Sequence, residues 1–230
     1  MFLDRNSFSI KILEVDAGWI YVEYKINEVN YPFTISCVIG DPFECLIEAA
    51  YYFLGENADY SDGSEFNRLY SYFFFEENGK RVYLDDLPTE KEKEYMDKCN
   101  AFPEGPMRMI FCWDSEGSTC EWTIERLNSY SDKESNLRIT IIRDEKVSFE
   151  IKYRDFCYAI VKAYNDILMK QGILGYHAGT FCYEFSIYKL LYLKAFLMNR
   201  CDWLRNENGS GVGITNIHRE MELLLAKMRY

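Results

Sequence analysis

The stretch FSIKILEVDAGWIYVEYKINEVNYPFTI, residues 8–35, decides the fold. Phe8, Ile10 and Ile12 alternate with polar neighbours, the period of a strand with one buried face. Asp16-Ala17-Gly18 reads as a three-residue turn with Gly18 at its left-handed position. Folding back about it sets Ile26 opposite Phe8, Tyr24 opposite Ile10 and Val22 opposite Ile12. A second loop, Asn27 to Asn30, sets Tyr31 opposite Ile26, Phe33 opposite Tyr24 and Ile35 opposite Val22. All these apolar residues then share one face, and a one-residue slip would turn the whole set outward. The expectation is a three-stranded antiparallel meander.

Working outward, a helix should follow. Asp41 suits its N-cap, Pro42 its first position, and Glu44 a capping box. Phe43, Leu46, Ile47, Ala50 and Leu54 share a face, Gly55 fits the C-terminal cap, and the helix is expected to lie across the meander. An acidic loop runs from Glu56 to Glu65. Asn78-Gly79 is a strong hairpin signal, joining Tyr70–Phe75 to Arg81–Leu84. A charged helix is expected from Thr89 to Cys99, and Phe102-Pro-Glu-Gly-Pro106 marks a boundary.

Beyond that boundary the plan recurs. Met107–Trp113 and Thr119–Leu127 form a hairpin about Ser115-Glu116-Gly117. Leu137–Arg143 and Val147–Tyr153 form another, with Asp144-Glu145-Lys146 as loop, Ile141 facing Phe149 and Ile139 facing Ile151. A helix follows with Asp155 as cap, Phe156, Ile160, Ala163 and Ile167 as buried stripe, and Gly172 at its end. Thr180 is expected to cap a helix reaching Asn199. The last helix uses Ile214, Ile217, Met221, Leu224 and Met228, and is expected to cover Met109, Phe111 and Trp113.

The chain therefore reads as α+β: two antiparallel meander-plus-helix modules, then a C-terminal pair of helices. Their bounds are 1–100 and 101–230, as a pseudo-repeat or one fused sheet system, either separate or packed as one domain.

Composition is that of a globular protein, 48% hydrophobic and 27% charged, so attention falls on the aromatic share of 17%. Half-buried sheets account for such residues more simply than interfaces do. The N-terminus has no apolar run of the signal-peptide kind, and Glu184, Lys189 and Lys194 break the longest apolar stretch, so no membrane span is expected. Eight cysteines without a CxxC pair suggest free thiols in a reducing cytoplasm.

Charge is the feature that bears on function. Residues 1–100 hold 20 acidic and 9 basic side chains, whereas residues 101–230 hold 17 of each. Such a field repels nucleic acid and anionic membrane, and attracts basic proteins. The likeness, in charge and composition, is to immunity proteins or inhibitors that neutralise toxin nucleases. Expected contacts are Asp59, Tyr60, Asp62, Glu65, Glu76, Glu77, Asp85 and Asp86. An interaction or scaffold subunit of a bacterial system is the other non-catalytic reading. An enzyme would need a nucleophilic pair, for which His177 and Cys182 near Glu184 are the candidates. No metal or cofactor motif occurs in the sequence, so neither is expected.

Overall fold

The computed structural model describes residues 1–36, 42–54, 74–77, 80–83, 90, 108–127, 135–180, 185–200 and 216–227, with backbone alone for residues 42, 43, 52, 74–77, 80–83 and 108. In chain order its elements are β1 (Phe2–Leu3), β2 (Phe8–Asp16), β3 (Trp19–Ile26), β4 (Val29–Ser36), α1 (Pro42–Tyr52), β5 (Phe74–Glu77), β6 (Lys80–Tyr83), β7 (Arg108–Asp114), β8 (Thr119–Arg126), β9 (Asn136–Ile142), β10 (Lys146–Lys152), α2 (Tyr153–Gly179), α3 (Ile187–Leu197) and α4 (Ile217–Leu225). Strands β2-β3-β4 form one sheet, β1-β10-β9-β8-β7 a second, and β5-β6 a hairpin. The architecture is α+β, two antiparallel meanders each followed by a helix, with two helices at the C-terminal end. The units differ in strand number: the second meander has four strands, and β1 adds a parallel edge to it through Leu3 beside Ile151. They share an order of elements rather than a strand-for-strand repeat.

The β2–β3 register matches the expectation at Phe8–Ile26, Ile10–Tyr24 and Ile12–Val22, but the turn is built differently. Asp16 pairs with Trp19, so only Ala17 and Gly18 form the turn, both at positive φ (48° and 82°). The third residue appears instead as a bulge at Leu13, where the register shifts between Ile12 and Glu14. A two-residue turn plus one bulge gives the distal strand the same pairing as a three-residue turn. The bulge also brings Val15 inward in place of Glu14.

Two other registers differ from expectation by two residues each. Ile26 pairs with Val29 across a tight turn at Asn27-Glu28, which sets Tyr24 opposite Tyr31, Val22 opposite Phe33 and Ile20 opposite Ile35. In the second sheet Phe149 faces Ile139 and Ile151 faces Leu137, about a turn at Arg143-Asp144-Glu145. The β7–β8 turn spans four residues, because Asp114 pairs with Thr119. An even shift leaves each apolar set on its own face, so matching apolar faces does not distinguish the alternatives.

The two sheets cover one another. Tyr24 stands edge-on to Trp122, with ring centres 5.3 Å apart, and also meets Trp113. Phe33 reaches Trp113, and Phe8 meets Phe149 at 5.3 Å and Phe156 of α2 at 6.3 Å. Trp113 and Trp122 are fully buried and lie 4.8 Å apart. One buried cluster runs through both sheets, α1, α2 and α3. The aromatic content thus fills the space between sheets, where each ring pair adds about 0.5–1.5 kcal/mol beyond its buried area.

This stacking changes where the helices go. Helix α1 packs against α2, α3 and β7 instead of lying across the first meander, whose inner face meets the second sheet and α2. Its Leu46, Ile47 and Ala50 are buried as expected. Helix α2 runs along β2 and satisfies carbonyls on that edge strand: Lys170 Nζ donates to Leu13 O at 2.7 Å and Gln171 Nε2 to Val15 O at 3.0 Å. Its expected stripe, Phe156, Ile160, Ala163 and Ile167, is buried. The helix begins at Tyr153, so Asp155 lies in the first turn, where its Oδ1 accepts from Arg5 Nε at 3.0 Å. Gly172, at φ 72°, breaks the helix, and a further segment continues to Gly179.

Thr180 closes α2 rather than opening α3: its N–H and its hydroxyl both donate to Tyr176 O. Helix α3 begins at Ile187 and is buried on several sides. In α4 the stripe is not the expected one. Leu223 is fully buried, whereas Ile217 and Met221 are 61% and 44% exposed. Met109, Phe111 and Trp113 are buried by the first sheet and by their own neighbours, and α4 packs on α3. Asn216 caps α4, its Oδ1 accepting from the N–H groups of His218 and Arg219.

Candidate functional site

Of the eight acidic and aromatic contact residues, Asp59, Tyr60, Asp62, Glu65, Asp85 and Asp86 lie outside the described residues. So do the acidic loop that holds the first four, and the expected helix at Thr89–Cys99 apart from Glu90. Glu76 and Glu77 fall on β5, where the register sets them opposite Arg81 and Lys80. Opposite charges at directly paired positions favour that register.

Two carboxylates of the acidic stretch are compensated by the other half of the chain. Glu44 and Glu48, one turn apart on α1, converge on Lys189 of α3, with Nζ–O distances of 3.3 and 2.7 Å. The Lys189 side chain is only 8% exposed. Burial opposes its charge, but the two carboxylates, Glu48 foremost, outweigh that penalty and raise the ammonium's pKa. This clamp joins α1 to α3.

A second lysine of α3 has a contrasting environment. Lys194 is fully buried, and its Nζ donates to Asn165 Oδ1 at 2.6 Å, Leu224 O at 2.7 Å and Ala226 O at 3.0 Å. All three acceptors are neutral oxygens. Burial therefore pushes its pKa down to about 8. In the sequence both lysines read only as interruptions of an apolar run. A helix apolar nearly all round must bury any lysine it carries, and a buried lysine needs oxygen acceptors. That signal was present, although the acceptors were not legible.

The groups considered for nucleophilic chemistry do not assemble among the described residues. His177 lies in the last turn of α2, half-buried, rather than in a loop between helices. Cys182 and Glu184 lie outside the described residues. Cys120 is buried with Tyr24 Oη 3.9 Å from its sulfur, and burial pushes its thiol up to about 11. Cys157 is likewise raised by burial, so both remain protonated thiols near neutral pH. Of the described cysteines, Cys45, Cys120 and Cys157 are buried and Cys112 is exposed. Among the described residues no three His, Cys, Asp or Glu side chains converge as metal ligands, and no helix is long and apolar enough to cross a membrane.

The geometry thus defines an α+β protein of two stacked, largely antiparallel sheets, with α1 joined to α3 through Lys189 and α4 joined to α3 through Lys194. Comparison with profiles of known protein families, with curated proteins and with solved structures returned no match.

Proposed function

We propose that the chain is a non-catalytic, acidic protein-binding protein, inhibitor- or immunity-like, that engages a basic protein through its N-terminal half. The observation that supports this is the charge left after the described compensation is removed. Residues 41–97 contain 15 acidic and 5 basic side chains. Setting aside Glu44 and Glu48, which share the single cation of Lys189 and keep one net negative charge, and Glu76 and Glu77 with their register partners Arg81 and Lys80, leaves eleven acidic against three basic. That excess is the source of the attraction, and Asp59, Asp62, Glu65, Asp85 and Asp86 carry much of it, with Tyr60 as an aromatic anchor. Glu76 and Glu77, at positions paired in register with Arg81 and Lys80, complete the contact set. The same excess disfavours nucleic acid as the partner. Eight cysteines without a CxxC pair accord with a cytoplasmic setting.

The test is affinity capture from the source organism at about 50 mM salt, where screening is weak. The native chain is compared with a variant carrying Asp59→Asn, Asp62→Asn, Glu65→Gln, Asp85→Asn and Asp86→Asn. A basic protein held by the native chain and lost from the variant supports the reading. Equal retention by both, or a partner without net positive charge, contradicts it.

A further inference from the structure

Helix α4 is attached to the rest of the molecule in an unusual way. Its one fully buried side chain, Leu223, joins Ala195 of α3 in a small cluster separate from the main core, edged by Leu191, Tyr192 and Met198. Leu224, partly buried, also reaches the main core. On the opposite side Ile217, Met221 and Leu225 follow one another at four-residue spacing and are 61%, 44% and 61% exposed. The helix therefore leaves more large apolar residues in water than it buries. Among the described residues its polar attachments include Lys194 Nζ, which donates to the carbonyls of Leu224 and Ala226, and Arg200 Nη1, which donates to Glu222 Oε1 at 2.9 Å.

Segments with few buried apolar contacts open locally at a free energy well below that of global unfolding. Apolar burial sets much of the depth of docking, and α4 has little of it; hydrogen bonds, which exchange with water on opening, contribute about 1 kcal/mol each, or about 1.5–3 where the Lys194 ammonium is the donor. The main core, by contrast, unites both sheets with α1, α2 and α3.

We propose that α4 is a releasable latch, leaving α3 as a cooperative unit while the two sheets remain folded. Undocking bares the α3 face of Leu191, Ala195 and Met198 and frees a helix with apolar residues on two sides. That is a conformational device distinct from the acidic surface.

Native-state hydrogen exchange of the intact chain tests this. The Met221–Leu225 amides are expected to exchange more than tenfold faster than those of Leu137–Ile141 in β9, after correction for intrinsic rates. Leu223→Ala, which removes the docking residue, is expected to accelerate all five α4 amides by a common factor and to leave β9 unchanged. The proposal is overturned if the native α4 and β9 amides exchange within tenfold of each other. It is also overturned if the variant accelerates both sets together, or if its effect decays along α4 as end fraying would.

Discussion

Lys189 and Lys194 lie five positions apart on α3, both buried, and their surroundings push their proton affinities in opposite directions. Several charged groups on the elements around α3 are engaged away from Lys194: Glu44 and Glu48 with Lys189, Arg154 with the carbonyls of Phe196 and Leu197, and Glu222 with Arg200. Among the described residues Lys194 faces no carboxylate. Between its folded pKa of about 8 and the ordinary 10.5, the unfolded chain keeps a proton that the folded chain releases. Stability from this group is therefore flat below about pH 8 and rises from there towards 10.5. Urea midpoints at the two ends of that window should show the rise in the native chain and its loss in Lys194→Met; equal slopes in both would refute the assignment. For Lys189 the sign is reversed. Its raised pKa gives a contribution fully present below 10.5 and lost only at higher pH. Glu48→Gln, which leaves Glu44 as the remaining carboxylate, is expected to cost about 1–2 kcal/mol at neutral pH in chemical unfolding. An unchanged midpoint would count against the clamp.

At the scale of elements, the strands were legible and their partners less so. A period of two in residues 8–35 identifies three strands and their inner faces, because an odd slip would expose every apolar residue. Even slips carry no such penalty, which is why the β3–β4 and β9–β10 registers differ from the reading by two residues each. The helix stripes likewise say which side of α1 or α2 is buried but not against what, so the covering of one sheet by the other was not foreseen. Nor was the bulge at Leu13, which depends on the preference for a tight turn at Ala17-Gly18. Close approach of α2 to this hairpin gives a direct check. Gly18 N–H donates to Gly179 O at 2.8 Å, and a Cβ on Gly179 would stand 2.7 Å from Val15 O. Gly179→Ala should therefore cost about 2 kcal/mol, from overpacking against backbone. Gly175→Ala, in the same helical segment, meets only Gln171 Cβ at 3.3 Å and should cost less, since alanine favours helix. Equal effects of the two substitutions would contradict the close packing.

At the scale of the whole molecule, the aromatic layer and the charge have separate roles. Tyr24, Trp113 and Trp122 lie where the sheets meet, so the two halves of the chain share their core. Trp122→Ala should cost about 3–5 kcal/mol and lower the stability of both sheets together, leaving a single unfolding transition by near- and far-ultraviolet dichroism. Two separate transitions, with only one displaced, would mean that the halves fold independently. Of the candidate contact surface, the sequence shows the excess charge but not its placement, because charge counts carry no geometry; Glu44 and Glu48, for instance, face inward to Lys189. The central claim is that the remaining acidic excess draws in a basic protein. The association rate of the captured partner, followed from about 50 to about 500 mM salt, tests it most directly. Electrostatic attraction predicts a fall of at least about tenfold over that range, and a shallower slope in the neutralised variant. A rate that stays constant across the series would contradict the account.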